Sequence, residues 1–269
     1  MHGIAMTTWG ALPAVRIASA DGAEATVTLY GAHMVSWKDA GGSERLFVSE
    51  RSARDGTRAI RGGVPVIFPQ FAERGSGMRH GFARVSTWRV DQSGDGADHG
   101  DSAHAVFVLT RADLAPAIAA AWPHGFELRL RIAVRGAQLS FALDVRNAGD
   151  DSLTFSAALH TYFAVAAIGA VRIEGVHADE LSIADKHDQI YRHVPGPITL
   201  SDGTSRLTLV QDGFDDAVVW NPGAADTAAL ADMADDDYLH FVCVEPARID
   251  PVTLASGAAW RGTHTISAA

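Results

Sequence analysis

From Phe126 to Arg135 apolar and mostly polar residues alternate without a break, the period-two pattern of a strand with one buried and one wet face. The run 139–146 repeats it after Gly136, whose neighbourhood supplies a turn, so the two segments predict a hairpin. Shorter strand-like runs occur at 25–30, 105–110, 152–157, 171–173, 206–210, 217–220 and 240–244. Many short strands predict an all-β, antiparallel β-sandwich. One short helix is expected in the Ala-rich stretch 112–121, stopped at Trp122-Pro123 because proline restricts the residue before it. The polar stretch 91–104 reads as the tip of a hairpin. Gaps between strand candidates are short and no linker or internal repeat divides the chain, so residues 1–269 are expected to form a single domain.

Composition narrows the function classes. Hydrophobic residues make up 47% and charged residues 20%, ordinary for a globular chain. No apolar run reaches the roughly 18 residues of a spanning helix, and the first residues lack the pattern of a secretory signal. A soluble cytoplasmic protein with no membrane partner is the expectation. Cys243 is the sole cysteine, which excludes an intramolecular disulfide and a cysteine-based metal cage. A net charge of -10 argues against a nucleic-acid partner. The charge is nevertheless uneven: Arg51, Arg54, Arg58, Arg61, Arg74, Arg79, Arg84 and Arg89 face only Asp55 and Glu73 within the same segment. Arginine without lysine suits a carboxylate or phosphate, which its planar fork binds bidentately; the bland alternative is a solvated rim balanced by acids from elsewhere.

Two titratable residues stand out in apolar, strand-like surroundings: His160 in Leu159-His160-Thr161-Tyr162-Phe163 and Glu245 in Cys243-Val244-Glu245-Pro246. Burial disfavours charge, so such residues need a partner or a task. They suit an acid/base pair; otherwise they are a core histidine and a carboxylate paired with an arginine such as Arg248. Arg61-Gly62-Gly63 precedes Val64-Pro65-Val66, with glycines able to turn sharply or let backbone approach a ligand. Arg79-His80-Gly81-Phe82-Ala83-Arg84 follows. Trp220 reads as core or as an aromatic stacking platform, and the acidic run 232–237 as a solvated turn rather than a cation loop.

Taken in order with Asp188-Gln189-Ile190-Tyr191 and Val218-Val219-Trp220-Asn221-Pro222, these motifs resemble those of the glucose-6-phosphate 1-epimerases, or hexose-6-phosphate mutarotases, of the aldose 1-epimerase superfamily. The resemblance runs from Gly31-Ala32-His33 to Trp260. It implies the galactose mutarotase-like sandwich, with the substrate on the concave face of one sheet. It implies that His160 and Glu245 are the catalytic pair, and that Arg61, Arg79, His80, Arg84 and Asp188 bind substrate. Arg79 departs from the glutamine common at that position. No metal or cofactor is implied; the expected partner is a small sugar phosphate, and a monomer is favoured. Rival readings are an aldose 1-epimerase of unphosphorylated sugar and a non-catalytic carbohydrate-binding or sensing module.

Overall fold

A computed structural model describes residues 2–91, 102–194 and 196–269. Its strands form three antiparallel sheets among the described residues, of four, six and nine strands. The nine-stranded sheet is built on the predicted hairpin, Phe126–Arg135 paired with Gln138–Asn147 across the turn at Gly136. Leu128, Leu130, Ile132 and Val134 point to the core from alternate positions. The four-stranded sheet comprises Gly3–Trp9, Leu12–Ala18, Glu24–Thr28 and His33–Lys38. The isolated bridge Met34↔Val64 ties it to the segment leading into strand Val66–Ile67, and Leu46↔Phe163 ties the segment that follows it in the chain to strand Tyr162–Ala164. One apolar core draws residues from all three sheets, and Trp260 of the nine-stranded sheet meets Phe155 of the six-stranded sheet edge-on at 5.5 Å. The expected antiparallel sandwich is therefore the observed fold.

The helix is shorter than expected. Residues 111–113 form a 3₁₀ turn closed by a capping box between Thr110 and Asp113, and the α-helix is only Pro116–Ala121. Pro116 sits at its first turn, where the missing N–H costs nothing. The hairpin tip predicted at 91–104 falls largely outside the described residues, but Arg89–Val90 and Ala103–Thr110 do pair antiparallel.

The six-stranded sheet places the site. Its order runs His187–Tyr191, Asp216–Asn221, Phe241–Leu254, Leu153–Leu159, Val66–Ile67, with Tyr162–Ala164 also on Phe241–Leu254. Successive side chains of a strand face opposite ways. Ala217, Val219, Val242 and Val244 enter the main core, which turns Val218, Trp220, Cys243 and Glu245 to the other face.

Candidate active site

That other face is the floor of a cleft of about 360 Å3. Its walls include Arg61, Arg79, His80, Arg84, His160, Asp188 and Glu245, so all seven residues singled out in the sequence meet at one place.

Glu245 and His160 meet because of a change of neighbours. On one side Phe241–Leu254 pairs continuously with Asp216–Asn221, Val218 lying opposite Glu245. On its other side it pairs with Tyr162–Ala164 up to Cys243 and with Leu153–Leu159 from Ala247 onward. Glu245-Pro246 falls between, where a proline without an N–H breaks no ladder on that side. His160-Thr161 is the facing gap between the two neighbouring strands, with the His160 N–H donating to Pro65 O (3.0 Å). His160 Nδ1 and Glu245 Oε1 lie 3.4 Å apart. The contact lacks hydrogen-bond geometry, and neither Nδ1 nor Glu245 Oε2 has a hydrogen-bond partner among the described residues. Arg248, the alternative partner, pairs with Asp215 instead.

Burial dominates the electrostatics of the pair. Glu245 is 1% exposed, and desolvation pushes its carboxyl well above the usual range, with Asp188 adding to the rise. Desolvation depresses His160, and His80, Arg84 and Arg61 depress it further. Both shifts favour carboxylic acid beside neutral imidazole over an ion pair.

His80 is held in an unusual conformation, φ 63°, by its N–H donating to Ala72 O (2.9 Å). The Ala72 N–H donates to His80 Nδ1 (3.2 Å), leaving Nε2 as the protonated nitrogen of the neutral ring. Burial, then Arg84, Arg79 and Arg61, lowers its pKa to about 3. His80 is thus a neutral hydrogen-bond donor, not a reservoir of protons at neutral pH. Gly81 makes the turn possible: its φ is +68° and a Cβ there would stand 2.0 Å from Phe68 O. Gly63 is likewise confined, 2.1 Å from Met34 O. Gly62 and Gly63 therefore serve close backbone packing, rather than approach to a ligand.

Arg58, Arg61, Arg79 and Arg84 line the cleft. Arg84 Nη2 donates to Arg79 O (2.9 Å), while its buried Nε has no partner among the described residues. The one ion pair of Arg79 among the described residues is a long, exposed contact to Glu73 (3.9 Å). Arg61 is different: Nε donates to Asp232 Oδ2 and Nη1 to Tyr162 Oη, each at 3.2 Å. The run 232–237 is therefore not merely a solvated turn, since Asp232 lines the cleft and Asp237 accepts from Ser49 Oγ (2.7 Å).

Arg58, Tyr162 and Asp232 received no site role from sequence reasoning; the arginine excess pointed at Arg58, and nothing local pointed at Asp232. Trp220 is a partly exposed wall of the cleft, edge-on to His160 at 5.8 Å. His160, Cys243 and Glu245 bring three metal-ligand atoms within 4.8 Å of one another. The neighbouring guanidinium groups oppose a cation there.

The fold is of the galactose mutarotase type. It superposes on a galactose mutarotase-like protein from Clostridium acetobutylicum with a TM-score of 0.76 at 16% identity, covering 99% of this chain and 98% of that one. With a "putative mutarotase" from Salmonella typhimurium the TM-score is 0.86 at 27% identity, covering 99% and 93%. Residues 13–195 match the aldose 1-epimerase family. A protein of Cenchrus ciliaris named "Putative glucose-6-phosphate 1-epimerase" is 35% identical over 91% of this chain and 81% of its own length. One of the same name from Escherichia coli K12 is 33% identical over 83% and 79%. The chain belongs to the aldose 1-epimerase family and is an isomerase of that type.

Proposed function

We propose that this epimerase interconverts the α and β anomers of a hexose 6-phosphate, with His160 and Glu245 exchanging protons and the cleft arginines holding the phosphate. The observation that carries the reading is the buried His160–Glu245 contact at 3.4 Å in a cleft lined by four arginines. The names of the relatives agree with it.

Ring opening removes a proton from the anomeric hydroxyl and delivers one to the ring oxygen. Glu245 as carboxylate takes the first, and His160 as imidazolium gives the second. The aldehyde then stands over a protonated Glu245 and a neutral His160, the charge-free pair that burial favours. Rotation about C1–C2 presents the other carbonyl face, and the reverse transfers close the ring. One proton shared by the pair suffices for the whole cycle. In the free enzyme that proton rests on Glu245; a phosphate dianion beside Arg84 offsets the guanidinium charge that depresses His160, which helps the proton cross the 3.4 Å gap. Positioned transfer of this kind gives about 10² to 10⁴ in rate per group. His80 donates to a sugar hydroxyl, Asp188 at the open edge accepts from one, and Arg79 reaches toward the phosphate.

Exchange NMR of glucose 6-phosphate against glucose tests the substrate. A kcat/KM for the phosphate ester at least about tenfold higher, the factor of one charge-assisted hydrogen bond, supports the reading. Equal values overturn it in favour of an epimerase for unphosphorylated sugar.

A further inference from the structure

Four arginines line the cleft, yet they are not equivalent. Arg58 and Arg84 have no ion pair among the described residues, and Arg79 has only the exposed contact with Glu73. Arg61 alone of the four carries a carboxylate inside the cleft, Asp232, with the two side chains only 24% and 18% exposed. An acid bonded to a phosphate-binding arginine weakens its hold on an anion, so Asp232 would be counterproductive if Arg61 served affinity alone.

We infer that Asp232 is a positioning residue: it fixes the Arg61 guanidinium and cancels its charge next to His160, favouring turnover over anion affinity. This rests on the hexose-phosphate reading above. The path is short. Asp232 Oδ2 accepts from Arg61 Nε, Arg61 Nη1 donates to Tyr162 Oη, and the Tyr162 ring lies nearly parallel on the His160 imidazole, centroids 4.9 Å apart at 11°. Asp232 thus sets the imidazole through two intermediaries, and its negative charge offsets one of the cations that work against protonating His160.

The segment bearing Asp232 is built to hold it. Met233 is fully buried and packs in one cluster with Tyr162, Phe241 and Cys243. Arg51 Nη1 donates to Met233 O (3.0 Å). Asp237 Oδ2 accepts from both Ser49 Oγ (2.7 Å) and the Ala234 N–H (2.8 Å). These bonds clasp the acidic run onto the segment that leads to Arg61, so a carboxylate 171 positions away in sequence arrives at a defined place.

The test is steady-state kinetics of Asp232→Asn on glucose 6-phosphate, with its unfolding midpoint measured alongside. The expected result is a kcat lower by about tenfold or more, the effect of losing a charge-assisted hydrogen bond, with KM unchanged or lower because the cleft gains positive charge. Asp232→Glu, which restores the charge, recovers part of kcat. Tyr162→Phe cuts the same path one step on and leaves the acidic run untouched; it is expected to lower kcat without raising KM, and the double variant to lose no more than the worse single one. A kcat within twofold of the parent in Asp232→Asn, a raised KM at unchanged kcat, or additive losses in the double variant would overturn the inference. Should Asp232→Asn fail to fold, Tyr162→Phe decides alone. Failure of the hexose-phosphate reading would show separately, in the unmodified enzyme.

Discussion

Glu245→Gln should stabilise the folded protein while removing its proposed base. Glu245 is 1% exposed, its Oε2 has no hydrogen-bond partner among the described residues, and His160 Nδ1, 3.4 Å from its Oε1, is not in hydrogen-bond geometry. Glutamine keeps the shape and cannot ionise. For each pH unit between the unfolded and folded pKa values of this carboxyl the parent loses about 1.4 kcal/mol, roughly 3–5 °C in a protein of this size, and glutamine is spared that loss. The pH dependence fixes the cause. Burial raises the folded pKa of Glu245 above its unfolded value; between the two the folded state binds the extra proton, so parental stability falls as pH rises through that window. Glutamine has no such loss, and the advantage of Glu245→Gln should be larger at pH 8 than at pH 5. His160 is depressed by burial and by His80, Arg84 and Arg61 in parent and variant alike, so its own titration largely cancels from the difference. Thermal unfolding of both proteins at the two pH values measures it. A variant less stable than the parent at pH 8 would refute the reasoning, because it would mean that the pair is ionised and that the carboxylate supports an imidazolium.

Two further outcomes are expected. Arg84→Met should raise KM for glucose 6-phosphate about tenfold or more, with little effect on glucose, since the guanidinium carries no competing ion pair among the described residues; equal effects on both sugars would exclude a phosphate role. Gly81→Ala should destabilise by more than the roughly 1–2 kcal/mol of a left-handed non-glycine residue, because its Cβ would stand 2.0 Å from Phe68 O, and should lower kcat/KM by shifting His80; chemical denaturation and kinetics check both.

How much of this was legible in the chain depends on where each signal resides. Strand Phe126–Arg135 announces itself because every inward residue from Phe126 to Val134 is apolar and the residues between them, Glu127, Arg129, Arg131 and Ala133, are mostly charged. Strand Ala259–Ala268 does not, since its buried positions are Gly262, His264 and Ile266, only one of them a large apolar residue. Phe241–Leu254 is 14 residues long, yet the strand-like run ends at 244 because Glu245-Pro246 looks like a break; the proline is tolerated where the neighbouring strand changes. The same discontinuity seats His160 opposite Glu245, a fact of pairing that no local pattern encodes. His160, Glu245, Arg61, Arg79, His80, Arg84 and Asp188 were accessible through motifs. Asp232 was not: a carboxylate in an acidic run looks solvated until the fold brings it to an arginine 171 positions earlier. Whether burial or the carboxylate governs His160 likewise needed the structure, and burial with the arginines prevails.

The central claim is that His160 and Glu245 pass protons to and from the anomeric centre. Exchange NMR of α- and β-glucose 6-phosphate, with the Glu245→Gln protein beside the parent, tests it most directly. The parent should accelerate exchange above the buffer rate, and the variant should lose about 10² or more of that acceleration while still binding the sugar phosphate. Undiminished exchange in Glu245→Gln would contradict the account.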